Sequence, residues 1–171
     1  VEKNVTISGS KSTLFIKPET KLAIGGNFTV NDGTTLHLQA NSTNFNHVTI
    51  GGDFALAAGS VAAAPTTMWV LCQSTNYPTA NTSLQFDIKG AMSIATNATL
   101  LLFSASQNGG SALFRPASLH VAAGGEINSD GGGYNYTSGG PGGGKKISER
   151  FIGGGYGGLG GYGIIDGAGT T

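Results

Sequence analysis

Two aspartates are the residues best placed for acid–base chemistry. Asp53 and Asp87 each lie close to an Ile-x-Gly tripeptide, Ile50-Gly51-Gly52 and Ile88-Lys89-Gly90, and would face one wall if those tripeptides align. Glycoside hydrolysis uses two carboxylates about 5 to 9.5 Å apart. The two are out of step, however: Asp53 precedes Phe54, Asp87 precedes Ile88, and only Lys89 accompanies them. Solvated wall carboxylates are the plainer expectation, and no catalytic residue is assigned. His37, His47 and His120 stand singly, without Cys or acidic companions at ligand spacing. A metal site needs three or four converging ligands, so no metal and no cofactor are expected. Gly155-Tyr156-Gly157-Gly158-Leu159-Gly160 spells a dinucleotide fingerprint but lacks the preceding strand, the following helix and the later acid that the mechanism needs. Gly160 to Asp166 approaches a calcium-binding repeat, with its aspartate one place late and no second copy.

The chemistry written most often is that of an asparagine amide. Six Asn-x-Ser/Thr acceptors begin at Asn4, Asn27, Asn41, Asn81, Asn97 and Asn135, more than chance pairing of this composition gives. Such acceptors imply surface position and a secretory route, with N-glycans as the covalent addition. Turns and strands also favour Asn and Thr for their own reasons.

The elements that must carry these residues are visible as repeats. Lys21–Leu38, His47–Val61, Gln85–Leu102 and Leu113–Ile127 align. Ile24, Ile50 and Ile88 form one column and Gly26, Gly52 and Gly90 another. Phe28, Phe54, Met92 and Leu119 form a third, and Val30, Leu56, Ile94 and Val121 a fourth. Turn residues follow at Asp32-Gly33, Ala58-Gly59, Thr96-Asn97 and Ala123-Gly124, and a shorter echo sets Thr13 against Asn27. Apolar residues alternate with polar or small ones, the period of a strand, and no helical stripe is long enough to compete. Repeats of this length with strand content predict a solenoid whose turns share one core. The third column would then lie inside, with Leu119 as its last member. Asn27 and Thr29 would flank Phe28 on the outside, Asn97 would sit at a turn, and Asn41 and Asn81 would fall between copies. The segment from about 65 to 82 reads as an insertion.

Composition narrows the partners. Nine basic and nine acidic residues balance in 171, which argues against nucleic acid, whose binders neutralise phosphates. An apolar content of 39% with zero net charge is the opposite of a disordered chain. The best apolar run, Leu100 to Phe103, is far below the roughly 18 residues of a membrane helix, so no membrane span is expected. Val1 opens the chain without methionine or a signal-like segment, as in a processed or excerpted chain. Phe54–Phe86 and Gly90–Phe114 carry no charge at all; so neutral a surface needs shielding by sugars or by assembly. Cys72 is the single cysteine, so no intrachain disulfide forms; it reads as a buried apolar residue or a bond to another chain. Lys145-Lys146 with Glu149-Arg150 reads as a solvated loop, with a salt-bridged contact to another chain as the sharper alternative.

From Gly131 onward 18 of 41 residues are glycine, interspersed with Tyr134, Tyr136, Tyr156 and Tyr162. Those tyrosines, broad apolar rings with a polar tip, are candidate assembly contacts. The succession AAGGEINSDGGGYNYTSGGPGGG and then GGGYGGLGGYG, over roughly Ala122 to Gly163, resembles a glycine-rich element of large secreted surface proteins built on right-handed parallel β-helices. The resemblance implies a cell-surface, adhesin-like or matrix-like glycoprotein and brings no catalytic residues with it.

The expectation is therefore all-β: a right-handed parallel β-helix over residues 1–130, with a Gly/Tyr-rich extension over 131–171 packed on it or on a neighbouring subunit. The expected role is a structural subunit of an extracellular, glycosylated filament, appendage or surface coat that self-associates through open ends lacking caps. An adhesin-type module for glycans or a cell surface, using Trp69 and Tyr77, is the alternative. A polysaccharide-active enzyme is the third.

Overall fold

The structure is a computed structural model that describes residues 3–9, 12–16, 21–31, 33–40, 46–58, 65–72, 83–105, 110–133, 145–147 and 150–152. These residues are strands and turns, with no helix among them. In chain order the strands are β1 (Val5–Ile7), β2 (Ser12–Ile16), β3 (Lys21–Ile24), β4 (Phe28–Val30), β5 (Thr35–Ala40), β6 (Asn46–Ile50) and β7 (Phe54–Leu56). They continue as β8 (Thr66–Cys72), β9 (Leu84–Ile94), β10 (Ala98–Phe103), β11 (Ala112–Val121), β12 (Glu126–Asn128), β13 (Lys145–Ile147) and β14 (Arg150–Ile152).

Two sheets hold all but the last pair. One runs β1-β4-β7-β9-β6-β3 with β11 also on β9; the other runs β12-β10-β8-β5-β2. Every pairing within them is parallel. The chain therefore revisits each ladder in turn: β3, β4, β5, then β6, β7, β8, then the two halves of β9 and β10, then β11 and β12. Parallel partners cannot be joined by a hairpin and need a crossover; here other strands of the same kind supply it.

The aligned columns are ladder partners. Ile24 pairs Ile50 and Ile50 pairs Ile88. Phe28 pairs Phe54, Phe54 pairs Met92, and Met92 pairs Leu119. Val30, Leu56, Ile94 and Val121 pair in the same succession. The second sheet adds columns that the repeats do not announce, Leu36–Met68–Leu100 and Leu38–Val70–Leu102. Side chains alternate across each strand, so β6, β7 and β8 bury every other residue, and the buried faces of both sheets feed one hydrophobic cluster. The Phe28 and Phe54 rings stack at 5.6 Å, and Phe86 on Phe114 at 4.3 Å, so identical neighbours gain ring contact beyond the area they bury.

Four features differ from the sequence expectation. Leu119 keeps its register but is 54% exposed, because β11 has no strand on its far side among the described residues. The segment assigned to an insertion opens with β8, a central strand of the second sheet. Thr13 faces His37 rather than Asn27, since the echo compared strands that belong to different ladders. Lys145–Ile147 and Arg150–Ile152 form an antiparallel pair, Lys145 opposite Ile152, where a loop was expected; Ile147, Phe151 and Ile152 are residues that favour strands.

Candidate functional site

A line of Asx side chains runs across the first sheet beside the glycine column. Oδ1 of Asn4 accepts the backbone N–H of Asn27 at 2.8 Å, Oδ1 of Asn27 accepts that of Asp53 at 2.9 Å, and Oδ1 of Asp53 accepts that of Ala91 at 2.8 Å. Each side chain thus fastens its own strand end to the next. The neighbouring glycines make room for it. A Cβ built on Gly26 would lie 2.3 Å from Asn4 Oδ1, one on Gly52 2.1 Å from Asn27 Oδ1, and one on Gly90 2.1 Å from Asp53 Oδ1. The Ile-x-Gly column is therefore a steric demand of the polar line, and the signal for it is legible in hindsight as Gly-Gly-Asn-Phe over Gly-Gly-Asp-Phe.

This arrangement sorts the glycan acceptors that fall on described residues. Asn4 and Asn27 are exposed, and among the described residues their amides are engaged through the oxygen, which leaves Nδ2, the atom that carries a glycan, outside the ladder bonds. Asn97 differs. It has φ 57°, a left-handed value otherwise taken at Gly33 (63°) and Gly124 (77°) in turns of the same ladder. Those turns close through Thr34 N–H to Asn31 O, Ala98 N–H to Ala95 O and Gly125 N–H to Ala122 O at 3.2, 3.2 and 2.8 Å. Asn is the usual substitute for glycine in that conformation. Its Nδ2 is buried with no hydrogen-bond partner, so a glycan there and this packing exclude each other. Asn41, Asn81 and Asn135 lie outside the described residues, as do Tyr77, Tyr134, Tyr136, Tyr156 and Tyr162, the glycine fingerprint and the calcium-like segment.

The outward face of the first sheet carries a polar cluster. His47 Nε2 meets Asp87 Oδ2 at 2.5 Å and Gln85 Nε2 donates to Asp87 Oδ1 at 2.8 Å, with Arg115 beside Asp87 in the ladder. Partial burial opposes ionisation of Asp87, but the Gln85 and His47 hydrogen bonds and the charges of His47 and Arg115 outweigh it and hold the carboxyl below the usual carboxylate range. Asp53 does not join this group. Its carboxylate is held on the Ala91 N–H, four residues along β9 from Asp87. No group of three or more His, Cys, Asp or Glu that could hold a metal occurs among the described residues.

The outward face of the second sheet is aromatic. The Trp69 ring stacks on His37 at 5.3 Å and on Phe103 at 5.2 Å, with interplanar angles of 11° and 6°. All three are half-buried. Both faces of the indole are thereby covered, and only ring edges point outward. His120 is exposed on β11. Cys72 is buried at the end of β8, and burial pushes its thiol up to about 11 against the opposing pull of a hydrogen bond with Ser83. No helix long and apolar enough to cross a membrane occurs among the described residues. No family model, curated protein or solved structure matches the chain.

Proposed function

We propose that the three recurring ladders are successive turns of a right-handed parallel β-helix, and that the protein is a structural subunit of an extracellular, N-glycosylated filament, appendage or surface coat. The observation that carries this reading is that the polar line Asn4–Asn27–Asp53 and the apolar column Phe28–Phe54–Met92 run side by side through the same strands. Both bind each turn to the next along one axis, which is how a rod is held together. Parallel connections within a sheet are right-handed almost without exception, which supplies the handedness. Asn4 and Asn27 are exposed and bond the described residues through their amide oxygens, which suits sugars on the nitrogens, and low charge agrees with a shielded or assembled particle. Negative-stain electron microscopy of the secreted protein tests the role: repeating fibres or sheets are expected, and a dispersed compact particle overturns it. Glycopeptide mapping of the same material tests the sugars, with Asn27 expected to be occupied.

An adhesin-type module for glycans or a cell surface is the second reading, favoured by the outward stack around Trp69. Sugars pack on open ring faces, and those of Trp69 are already taken by His37 and Phe103, so the structural role ranks first. Loss of glycan or cell adhesion on Trp69→Ala, with the fold intact, would reverse that order.

A further inference from the structure

Two turns of one kind carry the same dipeptide. Asn31-Asp32-Gly33-Thr34 follows β4, and Ser129-Asp130-Gly131-Gly132 follows β12. Each closes from its last N–H to its first carbonyl, Thr34 to Asn31 at 3.2 Å and Gly132 to Ser129 at 2.8 Å. Each sets its glycine in the left-handed region, Gly33 at 63° and Gly131 at 68°, as a tight turn asks of its third residue. The closing bond does not use that residue's N–H, which must find a partner elsewhere or stay in water.

The two glycines part company on that N–H. Gly33 N–H donates to Thr66 Oγ1 at 3.1 Å, and the same hydroxyl reaches Asn31 O at 3.4 Å, so the start of β8 clamps the first turn. Gly131 N–H makes no hydrogen bond among the described residues, and a Cβ built on Gly131 would meet nothing within 4 Å. Asp130 and Gly131 are both exposed. Asp130 is held only by its own N–H, which donates to Asn128 Oδ1 at 2.6 Å. Its carboxyl and the nitrogen that follows it are left open to solvent and free to approach each other.

We propose that Asp130-Gly131 is a site of spontaneous backbone isomerisation to isoaspartate, and that Asp32-Gly33 is protected from the same reaction by Thr66. The Gly131 nitrogen attacks Cγ of Asp130; the new C–N bond closes a cyclic imide, and the carboxyl hydroxyl leaves with the amide proton as water. Water then adds back to one of the two imide carbonyls. Opening at the side-chain carbonyl restores aspartate, whereas opening at the main-chain carbonyl leaves Gly131 joined through Cγ, with no net change in mass. The chain is then one carbon longer inside a turn that Gly132 closes onto Ser129, and Ser104 N–H is bonded to Gly132 O at 2.8 Å. Isomerisation therefore loosens the attachment of this turn to the end of β10. The reaction needs only water and does not depend on the role proposed above.

The test is prolonged warm incubation of the full chain, folded and in denaturant, followed by peptide mapping with electron-based fragmentation, which locates the extra backbone carbon. In the folded protein the peptide holding Asp130 is expected to split with time into two species of equal mass, while the peptide holding Asp32 stays single. In denaturant, where Thr66 no longer holds Gly33, both are expected to split at similar rates. An Asp130 peptide that stays single in the folded chain overturns the proposal, and so does an Asp32 peptide that splits there as fast. Asp130→Glu, which would need a larger and slower-forming ring, is expected to abolish the pair; persistence of the pair would place the reaction elsewhere and overturn the assignment. Hydrogen exchange at Gly132 and Ser104 is expected to quicken in the aged fraction, and unchanged exchange overturns the coupling to β10.

Discussion

Asn27 Oδ1 accepts the backbone N–H of Asp53 at 2.9 Å from the space that a side chain on Gly52 would need. One bond thus explains two residue choices a strand apart: an Asx where a side chain must reach forward, and a glycine where it must arrive.

Gly52→Ala is expected to destabilise the protein by about 1–3 kcal/mol through overpacking, with loss of the Asn27–Asp53 bond. Replacing a glycine at an unhindered site does the reverse, stabilising by about 0.4–1 kcal/mol through the unfolded chain. Urea denaturation decides the sign, and a stabilised variant would show that the polar line yields without cost.

Asn97 makes the opposite demand. Asn97→Gly keeps the left-handed turn and removes a buried, unpartnered amide nitrogen, so stability is expected to hold or rise. Asn97→Ala forces a Cβ residue without a compensating side chain into φ 57° and is expected to cost about 1–2 kcal/mol. Thermal unfolding of the pair measures the difference; equal loss in both would mean that the side chain, not the backbone, matters there.

Asp87 sets an acid dependence. Its carboxyl sits below the value of 3.8 that it has in the unfolded chain, so the unfolded state takes up the proton first. The stabilisation is present above pH 3.8 and is lost as pH falls through the lower folded value. Asp87→Asn is expected to be less stable at neutral pH and to lose less on acidification. Denaturation midpoints followed from neutral to strongly acidic pH check this, and parallel curves for parent and variant would contradict it.

Cys72 is expected to resist a thiol reagent in the folded protein at pH 8 and to react at once in denaturant, because the thiolate is scarce and the sulfur is buried. With its ionisation raised from 9.0 to about 11, the folded state holds a proton that the unfolded state releases between those values. Stability is therefore expected to fall as pH rises through that window, and Cys72→Ala is expected to flatten the fall. Fast labelling of the native chain would place the thiol at the surface and restore the idea of a bond to another chain.

Much of the first sheet is legible without coordinates. In a parallel ladder each side chain lies over its in-register partner on the next strand, so like residues recur at like places, and Ile24, Phe28 and Val30 announce their partners. The second sheet is far less legible. Its columns mix Leu with Met and Val, and segments of different length separate β5 from β8 and β8 from β10, which hides the register and made Trp69 read as part of an insertion. The Asx line escapes because its members are both Asn and Asp and break off at Ala91.

The amino-acid order alone determined that the chain is all-β, that its strands alternate in burial, and which residues share the columns of the first sheet, since those follow from periodicity and from stacking like on like. The tertiary structure decided what each polar residue does. Asn27 faces solvent with its oxygen engaged while Asn97 fills a left-handed turn, and Asp87 meets His47 while Asp53 fastens a strand. It also left Leu119 exposed on β11. Such outcomes depend on what lies across the ladder, a neighbour tens of residues away, and no local pattern encodes that distance.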